Sequence, residues 1–290
     1  MGPAGATVRP REVARDASVF AALTPTLAPA THTNSYALGS REVLLVEPAT
    51  PYEDEQREWL TWARSLASAG RVPVAVVATH HHPDHVGGVE VLVRELGLPL
   101  WAHDATATRI DVPVARKLVD GETLVLDGPA PQRWDVLHTP GHAPGHVCLW
   151  NPDARALVVG DMVASVGTIL IAPHDGDMRV YLEQLERLAG LGARVALPAH
   201  GEPIEDPTVL FRYYVRHRLA REAKVATAVS ACGPEGGTLD EILARAYDDT
   251  PRAAWGAAML SLQSHLRKLV VEGKVREGDA TQGPRYTLAS

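Results

Sequence analysis

Along the first two thirds of the chain, short apolar runs alternate with segments whose apolar residues recur with helical spacing. Residues 74–78 are apolar and rich in β-branched side chains, which predicts a buried strand. Residues 86–96 carry apolar side chains on one helical face, and 53–69 begin with acids and end before Gly70, so both predict helices. Further strands are predicted near 33–38, 41–46, 98–102, 122–126, 133–137, 156–159 and 194–197, with a helix after Asp177. Pattern alone therefore predicts an α/β or α+β domain.

The last third of the chain has a different pattern. A helix is predicted from Pro207 to about residue 230, followed by a segment rich in glycine and proline. Thr238 and Glu241 have the spacing of a capping box for a second helix, and a third is predicted near 253–272. Two short strands around 278–283 then complete a winged-helix-like pattern. The predicted organisation is a flexible N-terminal arm over 1–18, a main domain over 19–206 and a winged-helix-like domain over 207–290.

Composition narrows the class of protein. The 290 residues are 46% hydrophobic and 22% charged, which suits a globular chain with a sizeable core. The sequence shows neither an apolar run long enough to span a membrane nor the apolar stretch of a secretory signal, so a cytoplasmic location without a membrane partner is expected. The net charge of −7 does not favour a polyanionic partner, although 12 Lys and Arg outnumber 9 Asp and Glu from Pro207 onwards. Cys148 is expected to be a small buried hydrophobe.

Potential metal ligands are most concentrated in residues 79–85. There His80, His82, Asp84 and His85 form an H-x-H-x-D-H motif between the predicted strand and helix. Strand alternation places His80 and His82 on the same side. Packing gives no reason to collect four such side chains in six positions. Imidazole and carboxylate ligands suit zinc, and also iron or manganese. The motif therefore predicts a metal site.

Three later motifs follow apolar runs in a fixed order: a T-P-G-H turn containing His142, a G-D pair containing Asp161 and an A-H-G turn containing His200. Together with the first motif they resemble the metallo-β-lactamase superfamily of hydrolases, over roughly residues 30–205. The resemblance implies an αββα sandwich and two metal ions. It assigns His80, His82, His142 and Asp161 to the first metal, and Asp84, His85, His200 and the bridging Asp161 to the second. Glu47 stands where family members often have a second-shell aspartate.

The same resemblance implies a mechanism. Two metal ions would hold a bridging hydroxide at neutral pH and polarise the bond under attack. Asp84 would be the catalytic acid–base group as well as a ligand, because it could pass a proton to the leaving group. A bridging aspartate at position 161 is typical of the family's phosphodiesterases, thioesterases and lactonases, and its true β-lactamases lack it. A β-lactamase is therefore the less favoured interpretation.

Residues 262–269 and 272–275, with Gly167, Asp177 and Tyr181, resemble the lactamase-beta-like branch, whose animal members are endoribonucleases. This favours a phosphodiester in single-stranded RNA as the substrate, although the net charge of −7 and 5% aromatic content oppose it. The alternative is a thioester of glutathione, coenzyme A or a carrier protein, or another ester or lactone. A third, non-enzymatic hypothesis is a DNA-binding winged helix with a ligand-sensing metal domain. Against that hypothesis, the sequence contains every ligand needed for catalysis, and a sensor would not use them for that purpose.

Weaker candidates lie outside the ligand motifs. The long predicted loop over 162–176 contains His174, which is a predicted substrate contact. Asn34 and Tyr36 belong to an early strand that often runs near the site in proteins of the family it resembles, so the resemblance implies that they also contact substrate. His138 is expected near the site or in packing, and His146 is expected to be structural. His217 and His265 are expected on helix surfaces. The sequence leaves the oligomeric state open.

Overall fold

The computed structural model describes residues 9–129, 131–278 and 283–289. The chain divides into two compact units, which are described separately. The first unit comprises Met1–Thr139, Pro144–Thr168 and Gly192–Pro207, and the second comprises Pro140–Ala143, Ile169–Leu191 and Thr208–Ser290. The predicted domain boundary after residue 206 stays a prediction. Two earlier segments, 140–143 and 169–191, group with the C-terminal part of the chain.

Two sheets form the frame of the first unit. The first sheet has the order β1-β2-β3-β4-β5-β6-β7, antiparallel from β1 to β4 and parallel from β4 to β7. Its strands are β1 Arg11–Ala14, β2 Ala17–Leu23, β3 His32–Leu38, β4 Glu42–Val46, β5 Val72–Val77, β6 Leu100–His103 and β7 Arg116–Leu118. The second sheet has the order β13-β12-β11-β10-β9-β8, and only its β11–β12 pair is parallel. Its strands are β8 Thr123–Leu126, β9 Gln132–His138, β10 Val147–Asn151, β11 Ala156–Gly160, β12 Val195–Pro198 and β13 Ile204–Glu205.

The core of the first unit lies between these sheets. One apolar cluster combines residues of the first sheet, such as Tyr36 and Leu44, with residues of the second, such as Trp134 and Leu149. A second cluster joins Trp59 and other helical residues to the outer side of the first sheet. The helices of this unit are α1 Glu53–Ser68, α2 Pro83–Val86, α3 Val89–Leu96 and α4 Asp104–Ala107. The α+β sandwich expected from the resemblance is confirmed.

The predicted helix over 86–96 is interrupted at Gly87 and Gly88, which separate α2 from α3. A Cβ on Gly87 would lie 2.6 Å from the carbonyl oxygen of Pro83, and one on Gly88 would lie 2.6 Å from that of Thr50. Real Cβ atoms do not approach oxygen so closely. The glycine pair therefore lets α2 turn sharply while the chain passes against residues 48–50.

The prediction of a loose arm to residue 18 is wrong for residues 11–18. Strand β1 pairs antiparallel with β2, and Asp16 adopts φ 57° in the turn between them. Six of the seven β2 residues are buried, so the strand lacks the alternation that would identify it in the sequence. Arg9 extends this attachment through an ion pair with Glu55 on α1, at 2.5 Å. Residues 1–8 lie outside the described residues.

The second unit is mostly helical. It contains α5 Met178–Ala189, α6 Pro207–Ala231 (whose first residue belongs to the first unit), α7 Leu239–Ala246, a 3-10 turn Arg252–Ala254 and α8 Trp255–Val271, followed by the hairpin β14 Val275–Gly278 and β15 Arg285–Leu288. The predicted capping box is present, because the Thr238 hydroxyl accepts the Glu241 N–H and the Glu241 carboxylate accepts the Thr238 N–H. An apolar cluster joins the end of α6 to α7, α8 and the hairpin. The winged-helix-like prediction is confirmed. None of the described helices has the length and hydropathy to cross a membrane.

Candidate metal centre

The H-x-H-x-D-H motif lies where the chain leaves β5 and begins α2. His80 and His85 are completely buried, with ring centroids 4.0 Å apart. His80 Nε2 lies 3.0 Å from His82 Nδ1, which agrees with the predicted placement of the two side chains on one side. Asp84 keeps 16% of its side chain exposed. The turn therefore gathers imidazoles inside and leaves one carboxylate accessible to solvent.

Glu47 fixes the orientation of His85. It follows β4 with φ 63°, and its side chain is 1% exposed. Its carboxylate accepts hydrogen bonds from the Thr79 hydroxyl, from the Thr79 N–H at 3.3 Å and from His85 Nδ1 at 3.1 Å. Because Nδ1 then carries the proton, His85 presents Nε2 as a lone pair on its other side. This is the carboxylate–histidine arrangement that orients metal-binding imidazoles, and the longer glutamate reaches far enough to make it.

Asp161 is positioned by His146, which the sequence predicted to be structural. The Asp161 N–H donates to His146 Nε2 at 3.0 Å, so His146 carries its proton on Nδ1 and donates it to the Thr139 hydroxyl at 2.8 Å. Gly160 precedes Asp161 with φ 47°, and a Cβ there would lie 2.5 Å from His146 Nε2. Glycine is therefore required for the close approach that places Asp161 at the end of β11.

His200 is oriented by the backbone at the start of β3. Its Nδ1 donates to the backbone carbonyl of His32 at 2.9 Å. Its Nε2 consequently faces the carboxylates, lying 3.3 Å from Asp161 Oδ1 and 3.6 Å from Asp84 Oδ2. His85 Nε2 lies 3.6 Å from the same Asp161 oxygen. Two imidazoles and two carboxylates thus converge on one point.

Asn34 and Tyr36 are both buried, and their predicted contact with substrate stays a prediction. Tyr36 is 1% exposed and donates its hydroxyl hydrogen to the carbonyl of Pro198 at 2.7 Å. Asn34 is also buried and donates to the carbonyls of Pro198 and Gly201 at 2.9 and 2.8 Å. Because both side chains hydrogen-bond to backbone carbonyls next to His200, we assign both residues to stabilising that turn.

The electrostatics of the site favour a cation. Burial alone lowers the pKa of His85, but the nearby carboxylates of Glu47, Asp161 and Asp84 raise it well above its usual range. Burial alone raises the pKa of Asp161, but His200 and His85 bring it well below its usual range. The buried carboxylates therefore favour positive charge at this point of the site. A divalent cation would supply that charge while the Nε2 atoms remain unprotonated ligands.

The donor set fits a metal ion. The ligand atoms of Asp84, His85 and His200 lie within 4.8 Å of one another. Among the residues that the structure describes, His85 Nε2 is buried without a hydrogen-bond partner, which is the arrangement that a metal would complete. Glu47, His80 and His85 also lie within that limit. We assign Glu47 to orientation instead, because its oxygen meets the protonated Nδ1 of His85.

His142 lies in the second unit, in the segment 140–143. It is 6% exposed, and its Nδ1 donates to the carbonyl of Leu170 at 3.0 Å, so Nε2 is the nitrogen that carries the lone pair. The turn is held by the Asp177 N–H, which donates to the carbonyl of Gly141 at 2.8 Å. The place of His142 in the metal site stays a prediction from its motif. His174 is exposed, and its contact with substrate also stays a prediction.

Other predictions outside the ligand set can be compared with the structure. His138 packs flat against His103, with ring centroids 3.9 Å apart. Cys148 is buried, as expected. His217 is exposed, as expected, but the prediction of a surface position for His265 is wrong, because it is completely buried. His265 Nδ1 lies 3.6 Å from the carboxylate of Glu222, in a polar interior that sequence periodicity did not reveal.

The fold and this site define a metal-binding α+β sandwich hydrolase, and the comparisons agree. Residues 28–200 match the metallo-beta-lactamase superfamily, and residues 238–283 match the beta-lactamase associated winged helix domain. Since the first match spans more than half of the chain, this protein belongs to the metallo-beta-lactamase superfamily and is a hydrolase.

Individual relatives extend over both parts of the chain. A beta-lactamase-like protein 2 homolog from Drosophila melanogaster is 27% identical, with 84% of each chain covered. An atrochrysone carboxyl ACP thioesterase from Passalora fulva is 28% identical, covering 84% of this chain and 72% of its own. Among solved structures, a beta-lactamase domain protein from Burkholderia ambifaria has a TM-score of 0.82 at 20% identity, covering 97% of this chain and 93% of its own. That last similarity supports the fold alone.

Glu47→Ala is expected to weaken metal binding, because His85 loses the acceptor that fixes its ring and tautomer. Loss of such an outer partner typically costs about 10- to 100-fold in metal affinity. Zinc competition against a chromophoric chelator would measure the change. Glu42→Ala, at the other end of the same strand β4 and outside the ligand set, is the matched control. Equal zinc affinity in wild type and both variants would contradict the assigned role of Glu47.

Proposed function

We propose that this hydrolase cleaves acyl thioesters of a carrier protein or a small thiol, using two zinc ions. The observation that carries this choice is the similarity to an ACP thioesterase over 84% of the chain, which extends beyond the hydrolase domain. The net charge of −7 supports the choice, because binding to a nucleic-acid backbone usually requires a positive surface. This reverses the order of preference given by the sequence, in which RNA came first. A cytoplasmic location remains part of the proposal.

The proposed ligand sets are those implied by the family motifs. The first ion would be held by His80, His82, His142 and Asp161, and the second by Asp84, His85, His200 and Asp161. Iron or manganese would fit the same ligands. When bound, such ions lower the pKa of water to about 7 and polarise the bond under attack.

The protein's own groups prepare this site for hydrolysis. Glu47 and the carbonyl of His32 fix the rings of His85 and His200, so that both Nε2 atoms face the Asp161 carboxylate. Asp84 combines a position 3.6 Å from His200 Nε2 with a partly exposed side chain, which suits a group that carries a proton to or from substrate. A leaving thiolate needs little help of this kind, because a thiol has a pKa of about 8.5.

A turnover panel with the zinc-loaded full chain tests the proposal. The panel contains an acyl carrier-protein thioester, an acyl-coenzyme A, S-lactoylglutathione, a generic phosphodiester, single-stranded RNA and a cephalosporin. We expect kcat/KM for at least one thioester to exceed that for every non-thioester by more than about tenfold, which corresponds to about 1.4 kcal/mol in barrier. Faster cleavage of RNA than of any thioester would contradict the proposal.

A phosphodiester of single-stranded RNA is the second candidate. One exposed face of α6 favours it, because it presents Arg212, Arg216, Tyr213 and His217, and the last two rings stack with centroids 6.0 Å apart. Exposed cations beside exposed aromatic rings are typical of single-strand binding. If RNA is the substrate, Arg212→Ala and Arg216→Ala should raise its KM and reduce the salt dependence of binding.

A further inference from the structure

The segment 169–173 is held by side chains from two helices of the second unit. Arg218 on α6 donates to the carbonyl of Ile169. On α8, Ser264 donates to the carbonyl of Ile171 at 2.6 Å, and Arg267 donates to the carbonyl of Pro173 at 2.8 Å. Three alternate carbonyls of this segment are thus anchored by α6 and α8.

The carbonyl of Leu170, between the first two anchored carbonyls, has a different partner. Leu170 accepts the hydrogen bond from His142 Nδ1, at 3.0 Å. This hydrogen bond selects the His142 tautomer that offers Nε2 as a ligand atom, and it sets the plane of the ring. The position of the Leu170 carbonyl depends on its two neighbours, because the peptide units on either side are fixed by Arg218 and Ser264.

Two of the three anchoring side chains are buried. Ser264 is 3% exposed and Arg218 is 5% exposed, so neither side chain is free to move to another partner in solvent. The Arg218 guanidinium carbon also lies 6.0 Å from the ring centroid of Tyr181 on α5. Burying an arginine is costly unless its hydrogen bonds are made. The hydrogen bond from Arg218 to the Ile169 carbonyl therefore helps to offset the cost of burying its guanidinium.

We propose that the helices of the winged-helix part act as positioning elements for the first metal ion, with Arg218, Ser264 and Arg267 as positioning residues for His142. This inference rests on the proposed function, because it takes His142 as a ligand of that ion. The C-terminal part then contributes to the metal centre through residues 169–173, independently of any contact with substrate.

Zinc affinity of the full-length chain, measured by competition with a chromophoric chelator, tests the proposal without relying on turnover. Ser264→Ala, Arg267→Ala and the double variant remove one or two anchors. We expect one of the two zinc ions to bind about tenfold more weakly in the double variant, at the low end of the effect of an outer partner. The cobalt-substituted double variant should show altered d–d absorption for that ion, and Ser264→Thr, which keeps the hydroxyl, should restore both properties.

Ser261→Ala is the matched control, because Ser261 is buried one turn earlier on α8 and bonds the Tyr247 hydroxyl at 3.1 Å instead of this segment. Because Arg267 is exposed, Arg267→Ala should fold even if Ser264→Ala does not, and its zinc affinity then tests the proposal. Wild-type zinc affinity and cobalt absorption in folded anchor variants would overturn the inference. If His142→Ala retains both zinc ions with unchanged affinity, the proposed ligand set fails, and this inference fails with it for that separate reason.

Discussion

His85→Ala should remove metal from the site and reduce hydrolysis by more than about a thousandfold, because a usable nucleophile at neutral pH depends on metal-bound water with a pKa near 7. His85 is completely buried, and its Nε2 lies within 4 Å of both Asp84 and Asp161. Its loss would also leave the buried carboxylate of Glu47 without its imidazole partner. Metal analysis and steady-state turnover of the purified variant would measure both effects.

His217→Ala provides the control for this variant. It removes an exposed histidine on α6, outside the ligand set, and should retain the metal content of the wild type. Thermal unfolding of both variants would show whether any loss of activity reflects loss of the fold. Full metal content in a folded His85→Ala variant would refute the assignment of His85 as a ligand.

The second large effect concerns Asp84, whose two proposed roles can be separated. As a ligand, its loss should empty mainly the second metal site. As a proton carrier, its loss should slow substrates with poor leaving groups most, since those need the proton in the transition state. We therefore expect Asp84→Asn, refilled with excess zinc, to lose about 10²- to 10⁴-fold on an alkyl ester or RNA, which is the usual contribution of a general acid.

The same variant contains its own control, because activated substrates need little protonation of the leaving group. The rate on a nitrophenyl ester or a thioester should fall much less than the rate on an alkyl ester. Metal content must be measured in parallel, so that both sites are known to be filled. Equal losses on all substrates would show that Asp84 only holds metal, and that the proton comes from another group.

The ligand motifs could be predicted from the sequence because their signals are local. His80, His82, Asp84 and His85 share one turn, so their spacing and the strand period already place them together. Asp161 and His200 come just after the ends of strands β11 and β12, as their apolar flanking runs predicted. Local order along the chain was sufficient for these residues.

The supporting groups could not be predicted in the same way, because their roles depend on contacts between distant segments. Only the family resemblance pointed to Glu47, because its hydrogen bond with His85 joins residues 38 positions apart. Asn34 reaches the Pro198 carbonyl over 164 positions. Burial of His265 was missed for a different reason. Helix α8 buries Ser261, Ser264, His265 and Lys268, and a polar stripe of this kind has the pattern of a solvent-facing surface.

Metal stoichiometry of the purified full-length chain would show whether this site binds two metal ions. After loading with zinc and removal of excess, elemental analysis should give about two ions per chain. His85→Ala and His142→Ala should each bind about one ion fewer, because each removes a ligand proposed for a different ion. A wild-type chain that binds no zinc, iron or manganese while remaining folded would contradict the account of this site as a metal centre.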